Sequence, residues 1–489
     1  MRKRISSASL ACAILGLNVP VLVLGDPLNS WQGRETSHFA IYAAPDQENR
    51  GHEILARLET ARVFFERSGL ATSAATPQLK ILAFRSTREA DVYRINPAAY
   101  AFYQRTRQGD FVVMRDLAPE HYEVAIHEYT HFVMEHAGLK LPIWLNEGLA
   151  DLYSTLESHN AEVLLGSAPI GREDTLSSRR WIDWNTLIAV NRDSPYYRQA
   201  DKMLLFYAQS WAMVHMLALD AEYAAGFPEF LRTVSGGVAT QAAMLAVYHK
   251  SLEQIGQDLQ SYVGSQRMAV HVLNIDVRLP QLRTQEIADA GRRVDFALAE
   301  ILATNPQFSQ DAASRLTALT TKYSDDPRAE ESLGFQAMRA GNPKEAQEHF
   351  TRALQRHSQN PEVWFRLAHL KLQAEGPTEE VVDLLQRVIA SDGDHYGARL
   401  ELGFAAAKNE KYEIAVKALE GIANVKPEHA YVVTYTLAYC LIELQQGNRA
   451  RAYAEQARKL AADTRDRDEV AGLFRYIEQE APSVVASRE

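Results

Sequence analysis

With 489 residues, 46% of them hydrophobic, the chain has ample material for two or three packed cores. Its formal net charge of -10 is spread along the sequence, and the lack of a long basic patch argues against nucleic-acid binding. Only Cys12 and Cys440 carry thiols, so a chain processed after residue 25 keeps one of them and has no internal disulfide.

Met1-Arg2-Lys3-Arg4 opens the chain, and residues 5–25 carry no charge. A basic start, an apolar middle and small residues near the end form the pattern of an export signal over residues 1–25. Val23 and Gly25 fall at positions -3 and -1 of a cut before Asp26. Uncleaved, the same stretch is about long enough to serve as a membrane anchor, although Asn18 and Pro20 weigh toward cleavage. Leu10-Ala11-Cys12 hints at lipoprotein processing, but the apolar run ahead of Cys12 is short for it. Either route exports the remainder, to the periplasm or outside the cell, with membrane contact only through an uncleaved first segment. Beyond residue 25 no apolar run is long enough to cross a bilayer.

Residues 36–116 alternate in type, with strands near 39–43, 79–84 and 110–114, an amphipathic helix over 47–68 and a short helix near 88–93. This suits a small sheet packed against helices. The next helix starts at Pro119-Glu120, since proline is tolerated in a first turn and an acid complements the dipole there. Val124, Tyr129, Phe132 and Val133 keep helical spacing, and Gly138 marks its stop. Inside this helix stands His127-Glu128-Tyr129-Thr130-His131. Histidines four residues apart leave the same face and can grip one metal ion, with Glu128 beside them to take a proton from a metal-bound water.

A turn over 138–142 and a second helix from about Trp144 bring Glu147 back as a third ligand. Three protein ligands leave a coordination position open, as in catalytic rather than structural zinc. Asp151, four residues on, can accept the free ring N–H of a ligand histidine. Glu123, one turn before His127, is the other carboxylate within reach. His121 and His136 show that the segment is rich in histidine in any case, so the bland alternative is an ordinary polar hairpin.

His-Glu-x-x-His followed by Trp144-Leu145-Asn146-Glu147-Gly148-Leu149-Ala150 resembles the gluzincin metallopeptidases, the superfamily of thermolysin and the zinc aminopeptidases. More closely, the chain looks like the bacterial peptidase-MA-like proteins. The resemblance covers residues 30–265 and takes in Ser37-His38-Phe39-Ala40-Ile41-Tyr42 and Tyr207-Ala208-Gln209-Ser210-Trp211. It implies His127, His131 and Glu147 as ligands of one zinc ion, Glu128 as general base, Asp151 as support for a ligand histidine, and a sheet beside the active helix. Two features depart from the family. The interval from His131 to Glu147 is shorter than in the thermolysin and aminopeptidase branches, so the hairpin must be tighter. The Gly-x-Met-Glu-Asn motif of the aminopeptidases is absent, which argues against action on a free amino terminus and toward an endopeptidase.

A hydrolase of this type also needs a donor for the oxyanion of its tetrahedral intermediate. Tyr207, in a helical stretch over 201–219 where related peptidases place a tyrosine or histidine, is the candidate, and His215 is the other. Phe206, Tyr207, Trp211 and Val214 read equally as the buried stripe of an amphipathic helix.

Residues 151–265 read as mostly helical, 268–279 alternates like a strand, and 266–292 is expected to link two halves of the chain. From about residue 325 a period near 34 residues sets in, the tetratricopeptide length. Successive units carry Leu333-Gly334, Ala346, Phe350 and Ala353; Trp364, Leu367-Ala368, Leu385 and Val388; Leu402-Gly403, Ala415 and Leu419; and Leu437-Ala438, Ala450, Ala454 and Ala457. Small residues let paired helices approach closely, and large ones fill between hairpins. A degenerate unit over 294–322 extends the array toward its start. Arg339, Arg366 and Arg399 form a stripe suited to acidic peptides or, more plainly, solvated charge.

The expected fold class is thus α+β over residues 26–265, gluzincin-like, followed by an all-α tetratricopeptide solenoid over 293–480 and a tail at 481–489. The expected function is zinc-dependent hydrolysis of a peptide or protein substrate, with the array binding substrate or a protein partner. The alternatives are an inactive peptidase-like scaffold and a zinc hydrolase of a non-peptide bond.

Overall fold

A computed structural model describes residues 31–70, 76–91, 100–107, 109–159, 162–265, 268, 270–278 and 282–480. The expected export signal and the tail at 481–489 lie outside the described residues. Among those described, no helix is long and apolar enough to cross a membrane. The chain divides into two compact units, one running to Gly291 and one beginning at Arg292, with Gln104–Phe111 grouped with the second.

Nine strands occur among the described residues of the chain: β1 (Gln32–Glu35), β2 (Phe39–Ala43), β3 (Leu79–Ala83), β4 (Ala101–Thr106), β5 (Gly109–Met114), β6 (Glu157–His159), β7 (Glu162–Leu165), β8 (His271–Leu273) and β9 (Gln285–Glu286). Six form a mixed sheet in the order β4-β5-β3-β2-β1-β9, with β2 and β3 parallel and β1 and β2 antiparallel. Every residue of β2 is buried, so this strand is one continuous apolar run with no solvent face. The helix Glu48–Arg67 lays Ile54, Leu55, Leu58, Phe64 and Phe65 into the core beside it.

The expected strands and long helix are therefore present, and the short helix runs Thr87–Asp91. The sequence pattern missed β4, whose Ala-Phe-Tyr-Gln-Arg-Thr breaks the alternation of a half-buried strand. It also missed β6 and β7 of the small sheet β6-β7-β8, because strands of three or four residues carry too few positions to show a period.

An aromatic cluster fixes the helices that carry the motif. Tyr129 of the helix Tyr122–His136 meets Phe39 of β2 with ring centroids 5.0 Å apart, and Phe65 at 5.7 Å. Tyr153 of the next helix, Ile143–Ser154, meets Phe65 at 5.2 Å. Sheet, long helix and both site helices thus share one set of edge-to-face rings, a packing that aromatic quadrupoles favour. The turn between the site helices begins at Gly138, where Gly138 N donates to Glu135 O and Leu139 N to Met134 O.

The helix Ala200–Leu219 runs against Ile143–Ser154 and is buried on nearly all sides, Gln209, Ser210 and His215 included. Gln209 is satisfied by the backbone of Ile182, from whose N–H it accepts and to whose carbonyl it donates. At the crossing, Gly148 leaves no room for a side chain: a Cβ there would stand 2.5 Å from Ser210 O and 2.5 Å from Val214 Cγ2.

Residues 266–292, expected as a linker, contribute β8 and β9 to the two sheets of the first unit. Among the described residues of the alternating 268–279 stretch, only His271–Leu273 are strand. The second unit is a run of antiparallel helix pairs: Arg328–Arg339 with Pro343–Gln355, Pro361–Ala374 with Glu379–Ser391, Tyr396–Lys408 with Tyr412–Glu420, and Pro427–Glu443 with Gly447–Leu460. The earlier helices Ala290–Ala303 and Ser309–Lys322 share a core with the first pair through Phe296, Leu316, Leu319 and Leu333. Gly334 lies under the Phe350 ring, where an added Cβ would stand 2.5 Å from Cε1. Ala346, Phe350, Ala353, Ala368, Ala415, Ala450 and Ala454 are fully buried, as the repeat pattern requires.

Candidate metal centre

Two helices build the site. His127 and His131 leave one face of Tyr122–His136, and Glu147 faces them from the first turns of Ile143–Ser154. The Nε2 atoms of the histidines are 3.1 Å apart, and Glu147 Oε2 lies 3.3 Å from the first and 3.5 Å from the second. Three donors bound to one zinc at ordinary lengths of about 2.0–2.1 Å are separated by roughly 3.3 Å along the edges of a tetrahedron. Glu147 Oε2 is also buried without a hydrogen-bond partner, and a buried polar atom without one is costly unless something fills the gap. Donor types, spacing and the orphaned oxygen all fit a zinc ion.

Behind the donors, His127 Nδ1 lies 3.0 Å from Asp151 Oδ1. Arg172 grips both oxygens of that carboxylate, Nε to Oδ2 at 2.7 Å and Nη2 to Oδ1 at 3.1 Å. The expected aspartate support is thus in contact with the histidine, and the arginine holding it was not foreseen. Tyr197 Oη donates to Glu147 Oε1 at 3.2 Å, a second group that sequence reasoning missed. Both stand in short helices where no spacing rule ties them to the motif; Arg172 opens the helix Arg172–Ser178 after the left-handed Gly171, and Tyr197 sits in a four-residue one.

The electrostatics follow from burial. Burial works against a charged His127, but the adjacent carboxylates of Asp151 and Glu147 outweigh it and lift the ring to about 10. For Glu147, burial is overcome by the two histidines, which hold its carboxyl well below the usual range. Asp151 is lowered in the same way, against burial, by Arg172 and His127.

Glu128 is buried, and its Oε2 accepts from the backbone N–H of Tyr103 in β4 at 2.7 Å. Tyr207 lies with its ring 6.3 Å from that of His127 and beneath the Arg172 guanidinium at 5.2 Å. Burial and then Glu147 push its hydroxyl well above the usual tyrosine range, so it stays a proton donor. Phe206 and Trp211, its helix neighbours, are core residues.

His215 is committed elsewhere. Its Nε2 meets the Gly166 carbonyl at 3.0 Å and its Nδ1 the Tyr262 hydroxyl at 2.8 Å. With both ring nitrogens occupied, it is corrected from alternative oxyanion donor to structural residue. Glu123 does not join the converging group; burial, then Glu157, raise its carboxyl. His121 turns to Asp116, 2.6 Å away. In the second unit the arginine stripe is largely spent: Arg366 pairs with Glu362 at 2.7 Å, and Arg399 donates to Gly393 O at 2.6 Å.

Residues 337–376 match the tetratricopeptide repeat family. Among solved structures the chain is similar to YrrB, a TPR protein with an unusual peptide-binding site, at 17% identity over 37% of this chain and 90% of that one, with a TM-score of 0.30. It is similar to the MamA protein at 16% identity over 34% and 91%, with a TM-score of 0.28. Pseudomonas aeruginosa pilF shares 17% identity over 40% and 94%, with a TM-score of 0.25. No curated protein matches the chain. The matched segment and the buried small residues of its helix pairs make the second unit a tetratricopeptide-type solenoid.

Proposed function

We propose that the first unit is a zinc-dependent metallopeptidase of the gluzincin type, acting as an endopeptidase on a peptide or protein substrate. The observation that carries this reading is the convergence of His127, His131 and Glu147 on one point beside a buried Glu128. Zinc held by these three side chains would supply a Lewis acid and lower the pKa of a water toward neutrality. Glu128 is the general base. It takes the water's proton on Oε1 while Oε2 stays with the Tyr103 N–H, and it then passes that proton to the leaving amine. Tyr207 donates its hydroxyl to the oxyanion that develops on the scissile carbonyl.

An intact Glu128 argues against an inactive scaffold, since a purely structural site has no use for a base. The test pairs metal content with cleavage of a quenched peptide library, using the wild type, Glu128→Gln and His131→Ala. About one zinc per chain, lost in His131→Ala, with cleavage lost in both variants, is the expected result. Full cleavage by Glu128→Gln removes Glu128 as the base. A wild type purified without chelators and devoid of zinc removes the enzyme reading.

For the second unit the proposal is a binding surface for a protein partner or for the substrate, supported by the repeat architecture, since stacked helical repeats generally form extended concave binding surfaces.

A further inference from the structure

We infer that Tyr197 is a positioning residue for Glu147: its hydroxyl holds Oε1, so that Oε2 alone faces the two histidines and the metal keeps a coordination position for substrate. The inference rests on the metal-centre reading above and adds to it the group that decides how the carboxylate binds.

A carboxylate with both oxygens free can turn both toward one cation. Here a second Glu147 oxygen bound beside the water or substrate would raise the coordination number and crowd the position that a catalytic zinc site keeps open. In this site the two oxygens of Glu147 are already distinguished. Oε1 accepts from Tyr197 Oη at 3.2 Å, whereas Oε2 has no hydrogen-bond partner and stands 3.3 Å and 3.5 Å from the histidine nitrogens. The contact is long for an O–H···O pair, which makes it a steering contact rather than a clamp.

Tyr197 is well placed to steer. It sits in the single-turn helix Pro195–Arg198, entered through Pro195 and capped by Ser194 Oγ, which accepts from Tyr196 N at 3.3 Å. Tyr197 N donates to Ser194 O at 2.9 Å, and the ring packs edge-on against Phe206 at 6.4 Å. Both ends of the side chain are therefore tied to the fold. The choice of a phenol also matters chemically. A lysine or arginine at this place would neutralise Glu147 and weaken it as a ligand, whereas a neutral hydroxyl orients the carboxylate and leaves its charge for the metal.

The test uses the full chain loaded with Co2+ in place of zinc, whose visible absorption weakens as coordination number rises. Tyr197→Phe removes the hydroxyl and keeps the ring on Phe206, and far-ultraviolet circular dichroism checks that its fold is unchanged. The expected result is a severalfold loss of visible intensity in Tyr197→Phe relative to the wild type, as the second oxygen of Glu147 joins the metal. Superimposable spectra from two cobalt-loaded proteins overturn the inference and leave the metal centre standing. A wild type that takes up no cobalt overturns the metal centre, and the inference with it.

Discussion

Nδ1 of His127 lies 3.0 Å from Oδ1 of Asp151, while its other ring nitrogen points at Glu147 and His131. One imidazole is thus bound on both sides, and the carboxylate behind it fixes which nitrogen carries the proton. Asp151 is in turn held by the fork of Arg172.

Asp151→Asn keeps the shape of this support but removes its charge. Zinc affinity is expected to fall about 10–100-fold, the usual effect of removing a carboxylate that orients a ligand histidine. A chelator-competition titration reads this directly. The same change leaves the largely buried Arg172 without an anion, so the metal-free protein should also lose about 3 kcal/mol in urea denaturation. An affinity within twofold of the wild type would show that His127 is oriented without Asp151.

Gly148 stands next to Glu147 and against the helix Ala200–Leu219, with Ser210 O where its Cβ would go. Gly148→Ala must push the glutamate helix away from its neighbour, at a cost of about 1–3 kcal/mol for overpacking. Glu147 moves with its helix, so zinc affinity should fall together with stability. A variant with wild-type stability and wild-type zinc affinity would mean that this crossing has slack.

The converging side chains were legible because helical spacing alone puts His127, Glu128 and His131 on adjacent faces, and a short turn must return Glu147 toward them. The repeats were legible because buried small residues recur at a fixed interval, from Gly334 and Ala346 to Ala450 and Ala454. Arg172 and Tyr197 were not, since single contacts made from short, separate helices leave no period that ties them to the motif. Among the last four strands β8 alone lies in a stretch that alternates, and β6, β7 and β9 were hidden for a related reason. They hold two to four residues each and are defined by their partners, so residues 266–292 read as a linker although β8 and β9 are bound into sheets. His215 misled in the opposite direction: a histidine on a long helix near a motif looks chemical, and only its two filled nitrogens reveal it as structural.

In the solenoid, Gly334 and Phe350 should behave as one unit. Phe350→Ala empties a fully buried ring position and is expected to cost about 3–5 kcal/mol. Gly334→Ala drives a methyl into the same ring, whose Cε1 would stand 2.5 Å away, and should cost about 1–3 kcal/mol. Combined with Phe350→Leu, which makes room, Gly334→Ala should cost less than it does alone. The array's unfolding transition in a double-mutant cycle measures that coupling. Strict additivity would mean that the repeats do not depend on this close approach.

His215 gives the first unit a specific acid sensitivity. Burial, opposed only in part by the Gly166 carbonyl, brings its ring down to about 4, and His271 nearby pushes in the same direction. An unfolded chain would take up this proton near pH 6.5 and the folded one only near pH 4, so between these values the unfolded state binds more protons. Folding stability therefore holds fully above about pH 6.5 and is lost as pH falls toward 4, by roughly 3 kcal/mol over the whole window. Other groups titrate there too, and a comparison with His215→Gln isolates this one. The wild type's stability advantage over the variant, from urea denaturation of the full chain, should shrink by about 2–3 kcal/mol between pH 7.5 and 4.5. An advantage that stays constant across that range would mean His215 accepts its proton in the folded state as readily as in the unfolded one, and that its two hydrogen bonds do not hold it neutral.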